Sequence, residues 1–157
     1  MTQHDKAIAD EGVLSAVHVL EYPYTRSVGR VVGTFLAGLQ EGRILGSPTP
    51  DGRVLVPASE FDPATGDSLE DMVDVSDAGV VTTWSWVAEP RAKHPIQQPF
   101  AWALVRLDGA TSSLLHAVDA GDPARMRTGM RVRARWRQER KGSITDIECF
   151  VPEQAKP

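Results

Sequence analysis

From Phe100 to Asp119 the apolar and polar positions fall into two runs that flank Asp108-Gly109 and a short Ala/Thr/Ser connection. This is the pattern of two β-strands joined by a hairpin loop. On the first run Phe100, Trp102 and Leu104 share one face, while Ala101, Ala103, Val105 and Leu107 share the other. Both faces are apolar, so both need cover. A barrel interior covers one, and a helix, a loop or a second protein must cover the other. Further runs at Gly79 to Ala88, Met130 to Arg137 and Ser143 to Phe150 bring the strand count to five. Between the third and fourth runs, Asp122 as N-cap and Pro123 at the first helical position predict a short helix. That order predicts a mainly β chain with an OB-fold barrel over residues 71–152. An immunoglobulin-like sandwich, which wants about seven strands, ranks second.

Ahead of the barrel the period changes. Val28, Val31, Val32, Phe35, Leu36 and Leu39 recur at spacings of three and four, which predicts a helix over residues 27–42 with Ser27 as its N-cap and Gly42 near its end. Gly29, Gly33 and Gly38 weaken that helix by roughly 1 kcal/mol each relative to alanine, so close packing or a partner must compensate. Residues 1–26 read as an arm, partly disordered, with a short apolar run Val13 to Leu20 and an extended Glu21-Tyr22-Pro23-Tyr24. Residues 43–70 read as a loop-rich unit, with Pro48, Pro50, Pro57 and Pro63 and turn signals at Asp51-Gly52 and Thr65-Gly66. Residues 153–157 are a tail.

Composition narrows the function classes. The 157 residues suffice for one domain with an appendage, and a net charge of −4 is ordinary for a cytoplasmic protein. No run approaches the roughly 18 apolar residues of a membrane helix, and the polar N-terminus is not a signal peptide. The single cysteine, Cys149, excludes an internal disulfide and a thiolate zinc site, and its place in an apolar strand makes it a buried structural thiol.

The sharpest chemical pattern lies on the fourth strand, where Met130, Val132, Ala134 and Trp136 alternate with Arg131, Arg133, Arg135 and Arg137. Eight of the seventeen Lys and Arg residues fall between 125 and 141, against one acid, Glu139. An acidic protein thus carries one basic stripe. It is either a solvated face that blocks edge-to-edge aggregation or a surface for a phosphate-bearing ligand such as coenzyme A, an acidic partner or single-stranded nucleic acid. The loop Ala88 to Pro99 groups Arg91, Lys93 and His94 and reads as a binding loop or a solvated crossover. Trp84 and Trp86 share a strand face, as core or interface anchors ahead of a stacking platform. His116 reads as a barrel histidine with its ring nitrogens satisfied. No nucleophile elbow, phosphate loop or dinucleotide fingerprint occurs, so no catalytic residue is assigned.

Taken together, FLAGLQEGRILG, GVVTTWSWV, PFAWALVRLDGATSSLLHAVDA and GMRVRARW, in that order, resemble the acyl-CoA-associated family that joins a rubredoxin-like zinc ribbon to an OB-fold. The likeness spans roughly residues 25 to 150. It implies a non-catalytic subunit that accompanies a thiolase-superfamily enzyme, a thiolase or a retro-aldolase acting on acyl-CoA, with lipid or steroid side chains among the substrates. It further implies that residues 43–70 are a ribbon. The cysteine pairs of the family correspond here to Gly46-Ser47-Pro48-Thr49 and Ala58-Ser59-Glu60-Phe61, which hold no cysteine. A degenerate, metal-free ribbon is therefore expected, with no zinc and no tightly bound cofactor, a coenzyme A thioester being a ligand of the complex. Arg91, Lys93, His94, Arg131, Arg133 and Arg135 are the expected contacts to the partner or its CoA, with Trp84 and Trp86 at an interface. The second reading is an OB-fold binder of single-stranded nucleic acid.

Overall fold

The computed structural model describes residues 16–23 and 25–153 of the chain. Val13 to Ser15, Tyr24 and the end of the tail lie outside the described residues. Residues 16–23 belong to no helix or strand. A helix follows, α1 (Arg30–Gln40), then β1 (Ile44–Pro48), β2 (Val54–Leu55), β3 (Val73–Val75), β4 (Ala78–Val87), β5 (Phe100–Leu107), β6 (Leu114–Val118), β7 (Arg131–Trp136) and β8 (Ile147–Pro152).

Strands β4 to β8 close into a barrel in the order β4-β5-β6-β8-β7. All of its pairings are antiparallel except β6 with β8, which meet in parallel where Val118 faces Phe150. This is the five-stranded OB topology expected. The connection after β6 is a single 3-10 turn, Pro123–Arg125, capped by Asp122, whose carboxylate accepts the Ala124 N–H at 2.7 Å. Ala101, Ala103, Val105 and Leu107 point inward and are buried. A bulge in β4 between Val81 and Thr83 resets its parity, so that Trp84 pairs with Ala103 and Trp86 with Ala101. Two large rings thus stand beside two methyl groups, and the tryptophans pack on the main core.

The helix departs from expectation at its start. Gly29, with φ 80°, occupies the N-cap without a side-chain cap, and Ser27 Oγ accepts the Gly29 N–H at 3.3 Å. Val28 stands outside the helix and is half exposed. Side-chain spacing carried the apolar period back to Val28, whereas the left-handed turn at Gly29 decides where the helix begins. Gly38 answers the question of compensation, because a Cβ there would come within 2.9 Å of Leu45 Cδ1. The helix gives up propensity to lie close on β1.

Strands β2, β1 and β3 form a separate three-stranded sheet in that order. Its apolar residues Ile44, Leu45, Val56, Ala58 and Val75 share one continuous core with the barrel and with Val31, Phe35 and Leu39 of the helix. The seam is also hydrogen-bonded. Thr111 and Ser112, in the β5–β6 loop, exchange bonds with the backbone N–H and C=O of Val54 and Val56 at 2.6 to 3.0 Å. On the other side Arg140 Nε donates to the Gln40 carbonyl at 2.9 Å, which caps the helix C-terminus from the β7–β8 loop.

Candidate functional site

The outward face of β5 and β6 is where the chain is least finished. Phe100 is covered by Ala117, Cys149, Val87 and Ile96, so the 88–99 loop supplies part of the outer cover the hairpin needs. His94 fixes that loop. Its Nδ1 accepts the Arg91 N–H at 3.1 Å, its carbonyl accepts Gln97 Nε2 at 3.0 Å, and its ring stands edge-on to Phe100 at 5.5 Å and Trp102 at 6.3 Å. His94 is thus an anchor of the loop. Arg91 is exposed.

Beyond Trp102 the cover supplied by the described residues stops. A cleft of about 360 Å³ opens between Lys93 and Pro95 of the 88–99 loop, Trp102 on β5, Leu115 on β6, and Arg137, Ile144 and Thr145 of the β7–β8 connection, with Ile147 and His116 at its floor. Leu115 is 60% exposed there. His116 contributes carbon, since its Nδ1 accepts the Ala117 N–H at 2.9 Å and its Nε2 faces the Ile144 carbonyl at 3.4 Å. Burial lowers its pKa and keeps the ring neutral. Next to the cleft a larger and more polar groove of about 670 Å³ runs along Trp136 to Glu139 and Ser143 to Asp146. Asp146 holds that loop in shape. Burial by itself would raise its pKa, but the N–H groups of Lys141, Ser143 and Gly142 donate to its carboxylate and hold it below the usual range.

The arginine stripe alternates as the sequence predicts, with Arg131 and Arg133 out, Val132 and Ala134 in. Its arginines, however, are occupied. Arg131 pairs with Asp108 and Glu153, Arg133 with Asp77 and Glu153, and Arg135 with Asp119 and Glu148. Five carboxylates from neighbouring strands and turns thus meet three guanidinium groups. Asp108 and Glu153 are held below the usual carboxylate range chiefly by hydrogen bonds from Arg131 and Arg133. Spacing along one strand displays cations, but the acids that neutralise them come from four other segments. Asp119, which also accepts Gln98 Nε2 at 3.0 Å, links the end of the stripe to the 88–99 loop. Lys93 and His94 are therefore brought to Trp102, Arg135 is joined to that region through Asp119, and Arg131 and Arg133 lie elsewhere. Trp84 and Trp86 belong to the barrel core. Leu115 and Ile144 were not singled out from the sequence, whereas Arg137 entered only as the fourth arginine of the stripe and Trp102 only as part of an apolar strand face, and the outward parity of Trp102 and Leu115 was the available signal.

The residues at the ribbon's expected cysteine positions do not suit zinc. Ser47 Oγ accepts the Ser59 N–H and donates to the Ser59 carbonyl, both at 3.0 Å. Thr49 Oγ1 accepts the Arg53 N–H at 3.0 Å. Arg53 spans the two turns, bound to Asp51 at 2.8 Å and to the buried Asp62 at 2.7 Å. Neutral hydroxyls engaged with backbone and a carboxylate engaged with a guanidinium are not the thiolate and imidazole donors that structural zinc requires. Among the described residues no group of three His, Cys, Asp or Glu side chains is disposed to hold a metal, and no helix is long and apolar enough to cross a membrane.

Comparison with known proteins agrees with this architecture. Residues 72–137 match the family model described as the C-terminal OB-fold domain of ChsH2. Among solved structures, the Ltp2-ChsH2(DUF35) aldolase is similar over 82% of this chain and 98% of that one, at 19% identity and a TM-score of 0.58. A protein of unknown function from the DUF35 family of Sulfolobus solfataricus is similar over 68% of this chain and 77% of that one, at 23% identity and a TM-score of 0.55. No curated protein matches. Residues 72–137, which carry strands β4 to β7 of the barrel, are thus similar to the C-terminal OB-fold domain of ChsH2, and the fold as a whole is similar to that of these two DUF35 structures.

Proposed function

We propose that the chain is a non-catalytic accessory subunit that binds and supports a thiolase-superfamily enzyme, a thiolase or retro-aldolase acting on acyl-CoA in lipid or steroid side-chain breakdown in the cytoplasm. One observation carries the reading. Ahead of the helix, Val17, Val19, Leu20 and Tyr22 are 83%, 71%, 64% and 73% exposed, on a segment with no helix or strand. Four large apolar side chains within six residues, left in water, are the mark of a segment whose cover is another protein. The likeness to the Ltp2-ChsH2(DUF35) aldolase supports an aldolase as that protein. On this reading Arg91, Lys93 and His94 approach the partner or its CoA from the loop. Arg131, Arg133 and Arg135 exchange acids of this chain for acids of the partner. Trp84 and Trp86 act indirectly, by holding the barrel wall.

Single-stranded nucleic acid is the second reading. Its main support was a row of arginines free to neutralise phosphate, and three of the four are ion-paired within the chain.

The test is co-expression with the thiolase-superfamily enzymes of the same genome, followed by size-exclusion chromatography and an acyl-CoA aldol-cleavage assay. A co-eluting complex is expected, with enzyme activity that falls when this chain is omitted. The V17D/V19D/L20D variant should keep its fold and lose the complex. Separate elution, or full activity of the enzyme alone, sinks the proposal.

A further inference from the structure

We propose that the cleft between the 88–99 loop and the β7–β8 connection is a binding site for a small amphipathic anion, an apolar chain or ring ending in a carboxylate or a phosphate. The argument begins with what lines it. Trp102, Leu115, Ile144, Ile147 and Pro95 give an apolar floor, with Leu115 and Ile144 60% and 38% exposed. Among the described residues no side chain covers them. The volume of about 360 Å³ falls at the small end of the range for small-molecule pockets, about 300–1,000 Å³.

Charge decides the class of ligand. Two cations line the cleft, Lys93 and Arg137, and neither has an acid within salt-bridge distance among the described residues. Arg137 is oriented, because its Nε donates to the Thr145 carbonyl at 2.8 Å. The contrast with Arg131, Arg133 and Arg135, each paired with two acids, is what sets these two apart. Glu148 also lines the cleft, but its carboxylate is held by Arg135 Nε at 2.7 Å and shares that guanidinium with Asp119, so it is partly neutralised and Lys93 and Arg137 leave the cleft net positive. An apolar floor with two uncompensated cations selects a ligand that is apolar at one end and anionic at the other. The position agrees, since strands two and three of an OB barrel and its adjoining loops are where such barrels take their ligands.

The walls are held in place. His94 anchors the 88–99 loop through the Arg91 N–H and the Phe100 and Trp102 rings, and Asp146 anchors the opposite loop through three backbone N–H groups. A site held from both sides spends little binding energy on ordering itself. The inference rests on the cleft alone and does not require the complex proposed above.

The experiment is a titration of the full chain, followed by Trp fluorescence and calorimetry, with decanoate, decyl phosphate, decanol and an oligo-dT strand. Decanoate or decyl phosphate should bind one per chain, and whichever binds tighter identifies the anionic group. L115E changes an exposed residue, so far-UV circular dichroism and the melting temperature should match the parent while affinity for both anions falls about tenfold or more. K93Q/R137Q should weaken the anions about tenfold and leave decanol unchanged. Absence of saturable binding, equal affinity for decanol and decanoate, or parental affinity in L115E overturns the proposal. So does oligo-dT binding that decanoate cannot displace, which would assign the cleft to nucleic acid.

Discussion

Burial governs what Cys149 can do. The side chain is fully enclosed beside Phe100 and Ala117, and burial pushes the thiol up to about 11 against the opposing pull of Arg135. The thiolate is the reactive form, so at pH 8 the folded protein should be inert to a thiol reagent such as dithionitrobenzoate. Unfolding in guanidinium chloride should release one thiol per chain. Rapid labelling of the native protein would mean that the β5–β8 wall opens readily. Burial also explains His116, which stands edge-on to Phe150 and shares the parity of Leu114 and Val118, both buried, as a barrel histidine does.

At the level of elements, the β2-β1-β3 sheet, the expected ribbon, is held by contacts to its neighbours. Below about 70–80 residues a unit rarely holds itself together without staples, and this one is stapled to its neighbours. Ser47 closes on Ser59, Arg53 bridges Asp51 and Asp62, and the edge strand β2 is tied to Thr111 and Ser112. A chelator should therefore leave the melting temperature unchanged, and metal analysis should find no stoichiometric zinc. Ser47→Ala removes one partner from the Ser59 N–H and carbonyl at a buried position and should cost about 1–3 kcal/mol in a denaturant titration. About one zinc per chain would refute this account of the ribbon. The arginine strand makes the complementary point, since ion pairs this exposed add little to stability. Its six pairs favour one register of β7 more than they add stability.

For the whole molecule the shared core is the controlling fact. Helix, ribbon and barrel contribute to one apolar cluster, so they should unfold together. All four tryptophans, Trp84, Trp86, Trp102 and Trp136, lie on barrel strands, whereas the helical signal comes mainly from α1. Fluorescence and circular dichroism at the helical band should report the same denaturant midpoint. In a T111V/S112A variant, which deletes the hydroxyl links to β2, the midpoint should fall while the two probes still coincide. Separate transitions in the parent would show that helix and ribbon form an independent unit.

Local pattern was enough for much of this. Alternation set the strands and the inward face of β7, the Asp122-Pro123 pair set the turn after β6, and five strands in that order gave the barrel, because these are properties of neighbouring residues and of strand period. Gly38 was recognised as a weak point of the helix, but only its approach to Leu45 explains it. The cleft and the state of the arginines were not accessible in the same way. Whether Arg133 is free depends on Asp77 and Glu153, 56 residues before it and 20 after, and whether Trp102 is covered depends on where the 88–99 loop settles. Side-chain period is a one-dimensional property that the sequence carries directly. Charge compensation and surface cover depend on residues far apart in the chain, and only the closed barrel decides which of them meet.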